Sequence, residues 1–589
     1  MGIYEEINTV NVPRTYHPQP KKFMGTIEMG YIYPVLKKLL LPGDLAKISW
    51  DTVIRMIQMR VPSYSGIKVK FKAFRLPLRI LEKNFYRFMT GYKEYSTQTK
   101  WEEPLKKWKP SSLEKTQAGT LWDYLQYQIN CIPDDESLPL DYFRQLYGYI
   151  YDLYFRNEAI QDSILIDGEP NSWEGEDLLR INWQRDYFTT ALPFQQLGDP
   201  VGIPIVGSTK AQWETLNGEI GQTIENTIKG GGIPAVTISS QNGEIKASNG
   251  ALYTGNLVSY PTNVNATENL KQLLNNNIVS LNNLSSVTVS MLRQAFALQM
   301  FAEMQARGGI RDIEFLKQNF GVAPNDETLG RPELLGGVTI NILNSEVTQT
   351  SQNTEESYLG ELGGTGLGAG QSGLIAHHAK EYELLMIVMY ARPDTMYAQG
   401  FKREDTIAIN TEFGLPVLGH ISEQPIYQRE LCATSKKCVF RDTDGTEKAI
   451  DRTGITDEKI KEENEKIIGY RPVYDWFRED KNQIAGGFHM YQVTTDQTNT
   501  EADETQAYTY QNYDWTEARF FDTRPNKLPK INNEFMQCKP DLRNNIVKEN
   551  TKQFTKCNTH NILIAINFDQ KYWRPISQFG TPGRLDHII

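Results

Sequence analysis

Histidine and cysteine are scarce in this chain, at seven and five of 589 residues. The five cysteines, Cys131, Cys432, Cys438, Cys538 and Cys557, are odd in number and widely scattered. That argues against a disulfide framework and for free thiols in a reducing compartment. So few histidines leave few general bases, and no G-x-S-x-G nucleophile setting appears. No G-x-x-x-x-G-K-[ST] loop is present to cradle a nucleotide phosphate. His377-His378 with Glu381 is the one local cluster of metal-ligand type; zinc needs three or four ligands, so it reads as a surface histidine pair. The longest apolar run, Leu384 to Ala391, is far too short to span a bilayer. The opening Met1-Gly2-Ile3-Tyr4-Glu5-Glu6 lacks the basic and apolar regions of a secretory signal. Enzyme, metal and membrane classes therefore find no positive support, and no cofactor is expected.

Apolar residues make up 39% of the chain and charged residues 23%, enough for a large core. The net charge of −10 is unevenly spread. Residues 1–110 hold 14 Lys and 6 Arg against 9 acidic residues, a net of +11, which leaves −21 for the remainder. Such asymmetry is expected of a molecule with one face near a polyanion. Residues 1–22, with Pro13, Pro18 and Pro20, read as an extended arm. From Lys68 to Leu76, Val69, Phe71 and Ala73 share one face of a strand and Lys68, Lys70 and Lys72 the other. Lys and Arg neutralise phosphates, and interleaved aromatic rings can stack unpaired bases.

Helical periodicity marks residues 141–158, 290–307 and 312–320, the last ending at Gly321, and a charged helix over 456–466. The run 384–391 reads as a strand buried on both faces, and 561–568 as a late strand. Residues 360–373 hold seven glycines in fourteen and include Gly368-Ala369-Gly370-Gln371-Ser372-Gly373, a formal G-x-G-x-x-G. The segment follows polar sequence rather than a strand, so a flexible loop is expected. Residues 201–285 differ in composition, with Gly230-Gly231-Gly232, Asn242-Gly243, Asn249-Gly250 and nine Asn between Asn256 and Asn283. Asn-Gly between the short runs at 236–238 and 244–246 signals a hairpin, so this is read as an exposed insertion. With no internal repeat, one β core carrying large insertions is the expected architecture.

An ordered series of motifs carries a resemblance. It runs from Leu41-Pro42-Gly43-Asp44 and Phe74-Arg75-Leu76-Pro77-Leu78-Arg79 to Arg185-Asp186-Tyr187-Phe188-Thr189-Thr190-Ala191-Leu192-Pro193. Leu292-Arg293-Gln294-Ala295-Phe296, Ala306-Arg307-Gly308-Gly309, Phe320-Gly321-Val322 and Arg331-Pro332-Glu333-Leu334-Leu335-Gly336-Gly337 follow, then Gly469-Tyr470-Arg471-Pro472 and Pro582-Gly583-Arg584-Leu585-Asp586-His587. In this order they resemble the major capsid proteins of the Microviridae, bacteriophages with circular single-stranded DNA, most closely the gokushovirus-like branch. One departure is visible: the family's Leu-Gly-Glu-Gln is split here, with Leu418-Gly419 separated from Glu423-Gln424.

The resemblance implies a mainly β fold, a viral jelly roll (an eight-stranded antiparallel β-barrel) with long helical and loop insertions. Residues 23–200 and 286–589 would form the shell domain, 1–22 the arm and 201–285 a protrusion at the threefold axes. It implies a T=1 icosahedral shell of sixty copies built from pentamers, without a catalytic centre. The implied partners are the single-stranded DNA genome, internal scaffolding and DNA pilot proteins and a host cell-surface receptor, with assembly in the bacterial cytoplasm. The basic residues Arg14, Lys21, Lys22, Lys68, Lys70, Lys72, Arg75 and Arg79 are expected to face the DNA. Gly231, Asn242, Gly243, Asn249, Gly250 and Asn265 are expected on the receptor-facing protrusion. A competing expectation is a phage-borne, spike-like β protein that binds or cleaves glycans.

Overall fold

The computed structural model describes residues 12–201 and 289–577, apart from 60–61, 95, 200, 310, 349–361, 420–422, 442–446, 452–453, 486–490, 495–507, 512–517, 520–527, 541–556 and 558, together with three short strands between 236 and 253. The chain divides into two compact units, one of residues 1–197 with 303–589 and one of residues 198–302.

The larger unit is built on ten strands: β1 (Thr15–Pro18), β2 (Lys21–Ile27), β3 (Ile32–Leu40), β4 (Leu45–Met56), β5 (Ile67–Pro77), β6 (Glu333–Thr348), β7 (Leu362–Gln371), β8 (Ile375–His378), β9 (Glu383–Pro393) and β10 (Ile562–Arg574). The order across the sheet is β1-β10-β4-β7-β6-β5-β9-β3, antiparallel throughout. Strand β2 also pairs with β10 and β8 with β4, so the ten segments fill eight lateral positions. The sheet curls through β6, whose residues 333–342 pair with β5 and whose residues 343–348 pair with β7. Inside the curl Trp50 lies 5.9 Å from Phe71 and 6.1 Å from Phe568, ring centre to ring centre, joining the two halves in one core. This is a jelly roll.

The alternation in β5 is as the sequence indicates: Val69, Phe71 and Ala73 are buried, and Lys68, Lys70 and Lys72 lie on the other face. Strand β9 is apolar from Leu384 to Ala391 because both its faces are covered there. Leu385, Ile387, Met389 and Ala391 enter the core of the curl, while Leu384, Met386 and Val388 pack beneath helix α1 (Tyr142–Tyr154), against its Leu146, Tyr147 and Ile150. Helices α2 (Val289–Gly308) and α3 (Asp312–Phe320) follow, and α3 ends on Gly321 at φ +68, where a left-handed residue closes the helix.

Within the 1–22 segment, Thr15–Pro18 forms β1 and Lys21 and Lys22 begin β2, both strands hydrogen-bonded to β10. One expectation is corrected here: the glycine-rich segment is not a flexible loop but β7, laddered to β4 and β6. Its alternate glycines face inward, and a Cβ built on Gly366 would come within 2.8 Å of the Met56 side chain, and one on Gly370 within 2.7 Å of Ile340. The glycines bring two halves of the core close together, a use of glycine that composition does not distinguish from a linker.

In the smaller unit, Val236–Ile238, Ile245–Ala247 and Leu252–Tyr253 form an antiparallel three-stranded sheet, with the first hairpin where Asn242-Gly243 indicates it. The residues expected to face a receptor, Gly231, Asn242, Gly243, Asn249, Gly250 and Asn265, lie outside the described residues.

Candidate nucleic-acid interface

Helix α1 covers only part of the outer face of the β5–β9 sheet. Beyond its last turn the same face carries Lys70 and Lys72 of β5 and Arg392 of β9, brought together by the antiparallel register of Lys70 with Tyr390 and of Lys68 with Arg392. The chain leaving α1 supplies Phe155, Arg156 and Asn157, residues 182–189 add Asn182, Trp183 and Arg185, and Arg311 comes from the start of α3. These groups line a cavity of about 490 Å³ that contains six cationic side chains and no carboxylate.

Two of the six are neutralised nearby. Arg156 pairs with Asp152 at 2.9 Å, and Arg311 with Glu158 at 3.4 Å and Glu314 at 3.3 Å. Among the described residues Lys70, Lys72, Arg185 and Arg392 have no carboxylate within 4 Å. Arg392 donates to the Asn182 carbonyl at 3.1 Å, and the Lys72 ammonium lies 5.2 Å from the centre of the Phe155 ring. Partial burial, then Arg392 and Lys68, push the Lys70 ammonium below its usual pKa, against a weaker opposing pull from Asp394. Burial, then Lys70 and Arg392, do the same to Lys72. Like charges held together without a counter-charge favour an anion that relieves both effects. The cavity offers phosphate-binding cations over a floor of buried aromatic residues, among them Phe155, Trp183 and Tyr390.

The remaining basic residues named from the sequence fall into two groups. Lys68 is bound to Asp394 at 2.7 Å. Arg79 donates to Glu381 at 2.9 Å. Arg75 is buried and donates to Glu333 at 2.6 Å, Glu327 at 3.0 Å and Glu383 at 3.3 Å. Burial lowers the affinity of Arg75 for its proton, but the bonds to these carboxylates raise it overall. These three are each paired with carboxylates of the same subunit, Arg75 in a buried position and Lys68 and Arg79 nearer the surface. Arg14 is exposed and bonds to His378 Nε2 at 3.0 Å, Lys21 donates to Gln126, and Lys22 is exposed on β2. None of the three lines the cavity.

Arg156, Arg185, Arg311 and Arg392 were missed from the sequence. They lie outside the basic N-terminal block and meet Lys70 and Lys72 only through strand register and the path of the chain after α1.

Among the described residues no three His, Cys, Asp or Glu side chains converge to hold a metal. His377 bonds to the buried Glu383 at 2.6 Å, which accounts for half of the histidine pair, and Arg14 for the other half. Cys131, Cys432, Cys538 and Cys557 are free thiols. No helix among the described residues is long and apolar enough to cross a membrane.

A curled antiparallel jelly roll is the architecture of many viral capsid proteins, and of lectin domains and cupins as well. The chain is a member of the capsid protein (F protein) family, whose model matches residues 5–583. It is similar to capsid protein VP1 of Bdellovibrio phage phiMH2K, 24% identical over 596 residues, covering 98% of this chain and 97% of the relative. Capsid protein VP1 of Chlamydia phage 1 is 24% identical over 536 residues, 82% of this chain and 86% of that one. Capsid protein VP1 of Spiroplasma virus 4 is 26% identical over 444 residues, 72% and 77% of the two chains. These are Microviridae-type phage capsid proteins, so the role is structural, in the multimeric shell of a virion.

Proposed function

We propose that sixty copies of this chain, grouped as pentamers, form a T=1 shell around a circular single-stranded DNA. Assembly takes place in the bacterial cytoplasm with scaffolding and pilot proteins, and the subunit performs no catalysis. The basic cavity faces inward and takes phosphates of the genome on Lys70, Lys72, Arg185 and Arg392. The observation that carries the DNA contact is four clustered cations with no carboxylate in reach, three of them partly buried. Contacts to phosphate are independent of base sequence, as a genome that presents a different sequence to every copy requires. The segment 201–285 rises from the shell as a protrusion that contacts the host receptor. Its glycine and Asn-Gly content suits exposed turns, and its hairpin is short.

The test is a Lys70→Glu/Lys72→Glu variant, produced in cells that make particles of the unaltered chain. Shells should form, with nuclease-protected single-stranded DNA per shell well below the unaltered level. Equal DNA content in intact shells would remove the cavity from the reading. Filaments or isolated trimers of the unaltered chain, seen by electron microscopy in place of closed shells, would remove the reading as a whole.

A further inference from the structure

The outer face of the other half of the sheet is apolar where folding does not require it. Strand register places Met24 of β2, Ala565 of β10, Val53 of β4 and Ala369 of β7 in one row across four adjacent strands. The next row sets Leu367 of β7 beside Leu343 of β6, directly opposite each other, with Arg55 of β4 on the far side of Leu367. None of these side chains points into the core. The inward partners in the same strands are Ile54, Ile564 and the glycines of β7, and alternation sends the named residues outward. Exposure is 71% for Met24, 43% for Val53, 52% for Leu367 and 75% for Leu343. A solvated antiparallel sheet face ordinarily carries polar residues at such positions. The row on the other side of Val53 is polar, with Lys22, Asn567, Asp51 and Gln371 aligned.

We propose that this stripe is a contact surface for a second copy of the same chain in the shell. The inference rests on the shell reading above. Five strands at ~4.8 Å spacing make the stripe roughly 19 Å wide. That is the size of an apolar centre for an interface of about 800 Å² per partner, with the flanking polar row as its rim. A family whose members build multimeric shells needs such surfaces on every subunit.

The experiment places a photo-crosslinking benzoylphenylalanine at Val53 in the full chain, in cells where the unaltered chain forms particles. A control carries the same group at the exposed Glu94. Illumination should give a covalent species of two 67.4 kDa chains from position 53 and little from position 94. Adducts within one chain, adducts to a different protein, or intact particles without a two-chain product would each overturn the inference. A chain that forms no particles at all would fail the shell reading first and carry this inference with it. As a second arm, Leu343→Lys with Leu367→Glu keeps an opposite-charge cross-strand pair while removing the apolar surface. Its thermal unfolding should match the unaltered subunit, and its particle yield should fall at least tenfold. An unchanged yield would overturn the inference independently.

Discussion

Replacing Arg75 by methionine separates a cation that holds the subunit together from those available to DNA. Arg75 joins β5 to three carboxylates. Glu327 and Glu333 are 30% and 40% exposed, so each pairing contributes at most ~1 kcal/mol. Glu383 is 1% exposed and its bond to Arg75 is 3.3 Å long. Removing the guanidinium leaves that carboxylate with only His377 and the Lys380 backbone N–H, and removing one partner of a buried ion pair costs about 3–5 kcal/mol. The loss should therefore be dominated by Glu383. Lys72→Ala, by contrast, removes a cation that repels its neighbours and should change stability by less than about 1 kcal/mol. Urea unfolding of the isolated subunit measures both. The double variant Arg75→Met/Glu383→Leu removes the stranded charge and should recover most of the loss, because apolar replacement of a buried pair is often neutral. In assembled shells Arg75→Met should leave the DNA content per shell unchanged. The reasoning fails if Arg75→Met costs under 1 kcal/mol, if the double variant is no better than the single, or if Arg75→Met lowers DNA per shell as much as loss of Lys70 and Lys72.

Three further outcomes are expected. His560 is buried, bonded to Thr26 Oγ1 at 2.9 Å, and its pKa is pushed down to about 4 by burial. Its folded pKa lies below the ordinary value near 6.5, so the unfolded chain binds the extra proton; the contribution is complete above about pH 6.5 and is lost as pH falls toward 4, to a limit of roughly 3 kcal/mol. Urea midpoints at several pH values should show a shallower acid decline in His560→Asn than in the unaltered chain. Gly370→Ala drives a Cβ to within 2.7 Å of Ile340 and should destabilise by about 1–3 kcal/mol, with Ile340→Val partly restoring it; a stabilising Gly370→Ala would contradict the close approach. Replacing residues 207–283 with a short Gly/Ser linker should leave shells intact while adsorption to host cells falls, and normal adsorption would exclude a receptor role for that segment.

Local pattern was enough to find the elements whose residues report their own surroundings. Alternation in β5, the continuous apolar run of β9, the glycine closing α3 and the hairpin near Asn242-Gly243 were all legible, because each depends on periodicity or on a backbone need met within a few residues. The motif series was enough to indicate the capsid family. Charge was legible only as a sum. The excess in residues 1–110 did not distinguish Lys70, which faces a cavity free of carboxylates, from Arg75 five residues on, whose counter-charges lie more than 250 positions away. Burial of β7 glycines against Met56 and Ile340, and the row of Met24, Ala565, Val53 and Ala369, likewise exist only once distant strands are in register. The sequence by itself determined the elements with a local signature, among them β5, β9, β10 and α1 to α3, and the family to which the chain belongs. Tertiary structure alone decided which cations are spent on ion pairs and which remain for an anion, because the Coulomb energy between two side chains depends on their separation and burial in space, and antiparallel pairing sets both.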